Sequence, residues 1–398
     1  MTTQPATALR IAVVLKTNEG GLWILPHLHE MSRRGHHPVV VIPSGDGRLR
    51  RELDEAAFTV VESQFNFRLR PTPSTLLGLR RLRKQLRSLK PDVLHYHLYA
   101  SALATRLATV RMGVPRVHMV AGPLYLESAL IRFFERILMR LDTVIVAGSE
   151  YTARVYRGLS RKGPSVQTVA YAMQAGQFRP AIPSDRAAAR ATLGLDEDTT
   201  LFVMVAYVYA AKRMTHKGRG IKGHDILLEA WQAVSASRPS AHLLLVGSGF
   251  DAAGETLRQE LIERFNIQDD PTVTWLSTLS DVRPYYAAAD VSVSPSLSEN
   301  HGAARQASAS GVASLVSDAG GLPETVDPDS GWIVPAGDVE ALAQKMSEVA
   351  SLGPQHLRAW GLRAAAREAR NFDPETLAKA LVDLLEETAQ PNGQLRRP

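Results

Sequence analysis

Polar side chains follow an apolar run in the last third of the chain. The run "AAADVSVSPS" leads into "LSENHGAARQ", which brings Glu299 and residues 300–302 to the start of a small-residue helix. A carboxylate accepts two hydroxyl hydrogen bonds, and the N–H groups of a helix N-terminus bind anions. The cluster therefore favours a polyhydroxylated ligand. Helix capping by Ser298 and Asn300 is the structural alternative.

A basic segment, "AYVYAAKRMTHKGRGIKGHDILLEAW", precedes another predicted helix. Its cations are Lys212, Arg213, Lys217, Arg219 and Lys222. Cations beside a helix N-terminus oppose the helix dipole, which costs stability unless an anion lies between them. One ammonium about 4 Å from a phosphate oxygen contributes roughly 4 kcal/mol at an effective dielectric near 20. The segment favours a phosphate site, with a solvated basic loop as the alternative.

Two glycine turns could also approach a ligand. Gly20 and Gly21 lie between a predicted strand and a helix, where an anion site and a plain tight turn are both compatible with the sequence. "VGSGFDAAG" satisfies the relaxed dinucleotide fingerprint and would indicate an oxidoreductase. However, a strand already precedes it in the same domain, and "TVTWLS" ends without the acidic residue that this fingerprint expects.

Metal-ligating patterns are poor. The chain has no cysteine, "DED" lies in a predicted linker and "DPD" in a turn. His95 and His97 alternate on a strand, which places both rings on one face, but no third ligand is visible nearby. We predict neither a metal nor another cofactor. Walker A and G-x-S-x-G sequences are also absent from the chain.

The elements that must position these residues alternate between short β-branched runs and longer Ala/Leu/Arg segments, from "LRIAVVLK" to "GWIVP". This pattern is typical of parallel sheets built from βαβ units. The series restarts after the proline-containing segment 178–200, which we interpret as a linker. The sequence thus predicts an α/β protein of two doubly wound, Rossmann-like domains facing across a cleft. Ligands in such sheets bind beyond the carboxyl ends of the strands.

Length and charge narrow the function classes. The 398 residues exceed the roughly 250–300 at which single cores stop growing, so two domains are expected. No signal peptide or membrane-spanning run is visible, and we expect a cytoplasmic protein. Residues 68–90 carry Arg and Lys without acidic residues, which favours a solvated helix face or a peripheral contact with the inner face of a membrane. No aromatic platform suggests nucleic acid, and the sequence gives no oligomeric state.

Taken in order, the segments "KPDVLHYH", "VPRVHMVAGP", "KGHDILLEA", "LLLVGSG", "YYAAADVSVSPSLSEN" and "GVASLVSDAGGLPETV" resemble the retaining nucleotide-sugar glycosyltransferases of family 4. The similarity extends over nearly all of the chain and implies the GT-B fold. It suggests an acceptor-side domain at 1–182, a donor-binding domain at 183–375 and a helix at 376–390 that crosses back to the first domain. The tail 391–398 is expected to be disordered.

The resemblance also implies site residues. Lys222, with Arg219 or Lys212, is expected to hold the donor diphosphate, and Glu299 to contact hydroxyls of the transferred sugar. Further donor contacts are expected at Gly247, Gly249, Leu276, Asn300, His301, Gly302 and Gln306. Acceptor-side contacts are expected at Gly20, Gly21, His97 and His118.

Three positions depart from the family pattern. Ala307 lies where the second Glu of the E-x7-E motif is expected, and a spacing one residue shorter brings Gln306 into that position. The strand end that usually supplies an Arg is "VAYVY", which moves that role to residues 212–219. Ala121 replaces a frequent His, which leaves His118 one strand-step back. The last two departures concern the acceptor side more than donor binding.

The predicted function is a metal-independent, retaining transfer of a sugar, preferably from a UDP-sugar, to a hydroxyl of a small-molecule or glycan acceptor. Two alternatives remain open. One is a membrane-surface enzyme of lipid-linked glycan assembly, and the other is a catalytically silent sugar-nucleotide-binding protein, which the departures at Gln306 and Ala121 favour.

Overall fold

The computed structural model describes residues 8–159, 162–211 and 216–390. Two compact units divide the chain: the first unit holds the described residues up to Ala175 together with those from Phe372 onward, and the second unit holds Gly176–Asn371. The sequence predicts the first boundary after residue 182. Residues from 176 on group with the second unit, where the ring of Phe178 packs against that of Tyr286 at 6.2 Å between centroids.

The first unit is built on a parallel sheet of seven strands in the order β3-β2-β1-β4-β5-β6-β7. Its strands are β1 (Arg10–Val14), β2 (His37–Ile42), β3 (Thr59–Glu62), β4 (Val93–His97), β5 (Arg116–Val120), β6 (Val144–Ala147) and β7 (Ser165–Thr168). Its helices are α1 (Leu25–Arg33), α2 (Arg48–Glu55), α3 (Pro73–Ser88), α4 (Tyr99–Ala108), α5 (Ala129–Leu138), α6 (Glu150–Leu159) and α14 (Pro374–Ala389).

The second unit has a parallel sheet of six strands in the order β10-β9-β8-β11-β12-β13. Its strands are β8 (Thr200–Val205), β9 (Ala241–Val246), β10 (Val273–Leu276), β11 (Val291–Ser294), β12 (Ala313–Ser317) and β13 (Gly331–Val334). Its helices are α7 (Pro183–Thr192), α8 (His224–Ser237), α9 (Ala252–Arg264), α10 (Arg283–Ala288), α11 (Gly302–Ala309), α12 (Val339–Ala350) and α13 (Pro354–Asn371). The two parallel α/β sheets predicted from the sequence are confirmed.

The central strands are buried on both faces, as their continuous apolar sequences predict. Two strands escaped the sequence analysis, β3 and β7. Both are edge strands with partly exposed residues, so neither shows the continuous apolar run of a buried strand. The predicted linker also contains α7, which starts at a proline, a residue tolerated in the first turn of a helix.

Helix α14 returns to the first unit and packs along α1. Leu381, Val382 and Leu385 are fully buried in the apolar core that α1 also lines. Ion pairs border this contact: Arg34 lies 2.5 Å from Asp383 and 3.3 Å from Glu386. The tail 391–398 lies outside the described residues.

Candidate functional site

The order of strands in the second sheet reverses between β8 and β11, which pair directly through Val291 and Phe202. The described segments that leave these strands are 206–211 with 216–223, and 295–301. In open α/β sheets, ligands bind outside the carboxyl ends of the strands at such a reversal. The fold thus brings the basic segment and the polar cluster, which are far apart in the sequence, to one place.

Direct backbone contact holds the two segments together. The N–H of Leu297 donates to the carbonyl of Ile221 at 2.8 Å. Gly223 has φ +76°, and a Cβ on it would lie 2.3 Å from the carbonyl oxygen of Pro295. Glycine is therefore required at this position both by conformation and by space, and it sets Lys222 beside the polar cluster.

The backbone of Glu299 is clamped by the turn that follows β12. The N–H of Gly321 donates to the Glu299 carbonyl at 3.1 Å, and a Cβ on Gly320 would lie 1.9 Å from that oxygen. The carboxylate accepts the N–H of Asn300 at 3.0 Å and lies over Gly302, the first residue of α11. The loops that follow β8, β11 and β12 thus together fix the Glu299 carboxylate at the start of α11.

Lys222 and Glu299 form a hydrogen-bonded ion pair whose side chains are 20% and 18% exposed. Burial lowers the pKa of Lys222, but the charge and hydrogen bond of Glu299 outweigh burial and raise it overall. Burial likewise raises the pKa of Glu299, and the Lys222 ammonium outweighs it, so the carboxyl pKa is lowered. Both groups are therefore charged at neutral pH. The carboxylate supplies the anion that the basic segment requires in the absence of a phosphate.

An aromatic surface that the sequence analysis did not identify borders this pair. The Tyr209 ring centroid lies 5.8 Å from the Lys222 ammonium, and the ring stacks on Phe250 at 4.7 Å. Phe250 is 59% exposed and Tyr207 46% exposed. The sequence signal is weak, because Tyr207 and Tyr209 continue the apolar run "VAYVYAA" and Phe250 follows a glycine turn.

Backbone packing accounts for the glycines of "VGSGFDAAG" without a bound dinucleotide. Gly247 has φ +146°, and a Cβ there would lie 2.0 Å from the carbonyl of Ala206. The N–H of Gly249 donates to the Glu255 carboxylate at 2.7 Å, and Asp251 accepts from Gly254. The protein's own carboxylates thus occupy the start of α9, where a pyrophosphate would bind.

Leu276 ends β10 and is half-buried, and its carbonyl accepts the Gly247 N–H at 3.0 Å. It therefore lies beside the glycine turn, at the carboxyl edge of the sheet where the sequence analysis placed it among the donor contacts.

The expected partner cation of Lys222 is engaged elsewhere. Arg219 lies 2.8 Å from Glu229 and 3.2 Å from Asp225, two carboxylates of α8. A role for Arg219 at a diphosphate therefore requires these ion pairs to open, which the sequence analysis did not anticipate. Lys212, the other candidate, lies outside the described residues.

The two candidate positions for the second Glu differ in burial on helix α11. Ala307 is fully buried in an apolar cluster with Tyr286 and Val312, so a carboxylate there would lack solvation. Gln306 is half-buried and lies one helical turn after Gly302. His301, at the helix start, is 5% exposed and lies 3.4 Å from Glu324. Burial lowers the pKa of His301, so the ring is neutral at pH 7.

The corresponding reversal in the first sheet lies between β1 and β4. Gly20 is exposed and donates to the Thr17 hydroxyl, while Gly21, at φ +109°, turns the chain toward α1. The ring of His97 is fully buried, 4.9 Å from that of Trp23 and 5.9 Å from that of Tyr171. His97 thus packs this edge, and an acceptor contact through it requires the ring to be uncovered.

His118 belongs to a buried ionic network, which corrects its assignment to the acceptor side. Its Nδ1 lies 3.0 Å from the guanidinium of Arg106, which is fully buried and hydrogen-bonds both Glu135 and Asp142. Tyr96 donates to Asp142 from the neighbouring strand. Burial and the Arg106 charge lower the pKa of His118 far below its usual range. This histidine is a neutral member of a structural network.

Within residues 8–159, 162–211 and 216–390, no group of three or more His, Asp or Glu side chains could hold a metal ion. In the same part of the chain, no helix combines the length and apolar character that a bilayer span requires.

Residues 207–351 match the family described as glycosyl transferases group 1, and residues 25–166 match Glycosyltransferase Family 4. A D-inositol 3-phosphate glycosyltransferase of Segniliparus rotundus is 31% identical, covering 73% of this chain and 65% of that protein. A GDP-mannose-dependent monoacylated α-(1-6)-phosphatidylinositol monomannoside mannosyltransferase of Corynebacterium glutamicum is 27% identical, covering 60% of each chain. The chain thus spans less than two thirds of these two relatives.

The structure of Anabaena HepE, in complex with UDP and glucose, matches with a TM-score of 0.78 at 17% identity, covering 95% of this chain and 99% of that one. This likeness defines the class: the protein has the GT-B fold. The family matches then place it within that class, and the chain belongs to the family 4 glycosyltransferases. The glycosyltransferase family and the GT-B fold that the sequence resemblance implied are thereby confirmed.

Proposed function

We propose that this protein is a retaining glycosyltransferase that moves a sugar from a nucleoside-diphosphate sugar to a hydroxyl acceptor without a metal ion. The observation that carries the proposal is the Lys222–Glu299 pair at the strand reversal of the second sheet. Membership of family 4 supports the reaction class. The second unit then binds the donor, and the first unit binds the acceptor.

In the proposed mechanism, the donor diphosphate displaces Glu299 from Lys222 and takes its place on the ammonium. The freed carboxylate then accepts hydroxyl hydrogen bonds from the sugar at the start of α11. As the bond between sugar and phosphate breaks, negative charge grows on the leaving diphosphate, and the Lys222 ammonium beside it stabilises that charge. The acceptor attacks the same face of the sugar, with a phosphate oxygen as base, so no protein nucleophile is needed.

The donor proposed is a UDP-sugar. The UDP and glucose bound in the Anabaena protein support this choice. GDP-mannose, named for the Corynebacterium relative, is the second donor to test. Both relatives are named for acceptors that contain inositol, so we propose a polyol hydroxyl as the acceptor. We also propose a cytoplasmic location, where nucleotide sugars are available.

The test measures nucleotide release from UDP-, GDP-, ADP- and dTDP-sugars, with and without a chelator. Lys222→Ala should lower kcat/KM for the donor by about 10²–10³-fold, since a preorganised charge at the leaving group is lost. Lys345→Ala is the matched control, because Lys345 pairs with Glu348 on the exposed side of α12 and should leave activity unchanged. Equal activity of the wild type and Lys222→Ala would overturn the mechanism.

A catalytically silent sugar-nucleotide-binding protein is the second candidate, favoured by Gln306 and Ala121 at positions where the family usually has Glu and His. The same assay separates the two. Donor binding without release of any nucleotide supports the silent protein, and hydrolysis or transfer eliminates it.

A further inference from the structure

Helix α5 has the reverse of the usual pattern of burial. Its one buried side chain is the carboxylate of Glu135. Four large apolar side chains are exposed instead: Leu130 by 66%, Phe133 by 59%, Phe134 by 47% and Ile137 by 49%. Single exposed apolar residues are common, but a contiguous set on one helix marks an interaction site.

The helix is firmly attached on its polar side. Both oxygens of Glu135 accept from the buried guanidinium of Arg106, at 2.7 and 2.9 Å, and the Tyr156 hydroxyl donates to the same carboxylate at 3.0 Å. Ser128 caps the helix N-terminus. Because a buried charge cannot leave its partners without a large loss of stability, this anchor keeps the apolar side of α5 turned outward.

The exposed side of α5 is basic as well as apolar. Arg132, Arg136 and Arg140 are exposed among the apolar residues, and Leu124 just before the helix is 40% exposed. Residues 124–140 contain two acidic side chains: Glu135, which faces inward, and Glu127, which is exposed just before the helix. We call residues 124–140 with these exposed side chains the α5 surface.

We infer that the α5 surface docks on an anionic lipid bilayer, with the helix lying in the plane of the interface. Its apolar side chains enter the boundary between head groups and acyl chains, while its arginines bind lipid phosphates. The observation that selects this occupant is charge complementarity. Three exposed arginines against one exposed carboxylate, Glu127, give the apolar face a net positive charge, which suits a partner that is both apolar and anionic.

A second copy of the chain is a poorer occupant. A twofold contact through this surface would bring the three arginines of one copy against those of the other, and the exposed Glu127 supplies one carboxylate per copy to offset them. Helix α3, which lies within the basic stretch 68–90 of the sequence analysis, is also less suited to insertion. Its large exposed apolar residues are Leu76 and Leu77, both near its start.

The test is co-sedimentation of the full chain with vesicles of equimolar phosphatidylglycerol and phosphatidylcholine. Phe133→Ser with Phe134→Ser removes apolar surface and no charge, and we expect about a tenfold loss of partitioning. Arg132→Gln with Arg136→Gln should reduce it by about fivefold. Arg80→Gln with Arg81→Gln on α3 is the charge-matched control, which should stay within about twofold of the wild type. Circular dichroism confirms folding of each variant.

The inference is supported if the wild type sediments with the vesicles and the phenylalanine variant shows the largest loss of binding. Three results overturn it: a wild type that does not sediment with these vesicles, a phenylalanine variant that binds like the wild type, and a wild-type dimer that the same variant converts to monomer. The last would assign the α5 surface to a second copy. Glycosyl transfer is not the readout, so failure here leaves the proposed function standing.

Discussion

The two units have the same strand order, apart from the extra edge strand β7 in the first. The polar groups at the strand reversals of their sheets nevertheless differ: they are neutral and buried in the first unit, and charged and partly exposed in the second. In the first unit, the edge between β1 and β4 is filled by the fully buried ring of His97 packed against Trp23 and Tyr171. In the second unit, the edge between β8 and β11 carries the partly exposed ion pair of Lys222 and Glu299. One topology thus supports a neutral, packed edge and a charged, accessible one.

The difference extends to where each unit keeps its charges. The strongest ionic network of the first unit surrounds Arg106, which is fully buried and touches no solvent. A fully buried charge serves structure, because a ligand cannot reach it without opening the fold. Lys222 and Glu299 keep about a fifth of their surface exposed, so a ligand can exchange with either partner. Removing charge should therefore reduce stability in the first unit and turnover in the second.

The largest effect expected from this comparison is on Arg106. Arg106→Leu leaves Glu135 and Asp142 buried without their counter-ion and should lower the free energy of unfolding of the first unit by about 3–5 kcal/mol. Denaturant titration followed by circular dichroism measures this loss. Arg157→Leu, which breaks the half-exposed pair with Glu150 in the same unit, is the control and should change stability by less than about 1 kcal/mol. Similar losses in both variants would contradict the distinction.

Acid should destabilise the first unit through its buried histidines. Burial, helped by the charge of His95, lowers the pKa of His27 to about 3, and burial lowers that of His95 to about 4. Each ring is neutral in the folded state but binds a proton near pH 6.5 when unfolded, so stability falls as the pH decreases through 6.5. At pH 5 the loss is about 2 kcal/mol for each such histidine.

His27→Leu isolates one of these contributions. Neither ring nitrogen of His27 has a hydrogen-bond partner among the described residues, so leucine sacrifices no bond there. The variant should recover about 2 kcal/mol of the difference between the unfolding free energies at pH 7 and pH 5. An unchanged pH dependence would show that His27 does not titrate as its burial implies.

The sequence predicted the fold and the charged edge well for a physical reason. The strands of a doubly wound protein are buried on both faces, so they are visible as apolar runs, and Lys222 and Glu299 follow such runs at the strand ends. The strands that went unpredicted, β3 and β7, are edge strands whose partial exposure erases the apolar run.

Side-chain partners across the chain could not be predicted from local sequence. The engagement of Arg219 by Glu229 depends on how α8 follows the basic segment. The anchoring of Glu135 by Arg106 joins residues on two helices, and the sequence of α5 alone suggests an ordinary amphipathic helix. Glycine turns were equally ambiguous. The N–H of Gly249 could donate to a bound phosphate or, as the structure shows, to the carboxylate of Glu255.

The smallest expected effect concerns Gln306, where the family usually has Glu. Gln306→Glu restores a carboxylate on the half-buried side of α11 and should lower the donor KM by about two- to tenfold, because a charge-assisted hydrogen bond to a ribose hydroxyl is stronger than an amide one. Little change in kcat is expected, since the ribose is remote from the breaking bond. Steady-state kinetics with the preferred donor measures both constants.

Ala307→Glu is the matched control for this last prediction, since it places the same carboxylate one residue further along. Ala307 packs in the apolar cluster beneath α11, so its substitution should destabilise the second unit and leave the donor KM of the folded fraction unchanged. Tighter donor binding in Ala307→Glu than in Gln306→Glu would show that residue 307 is the position that reaches the ribose. The assignment of Gln306 to the donor ribose would then be wrong.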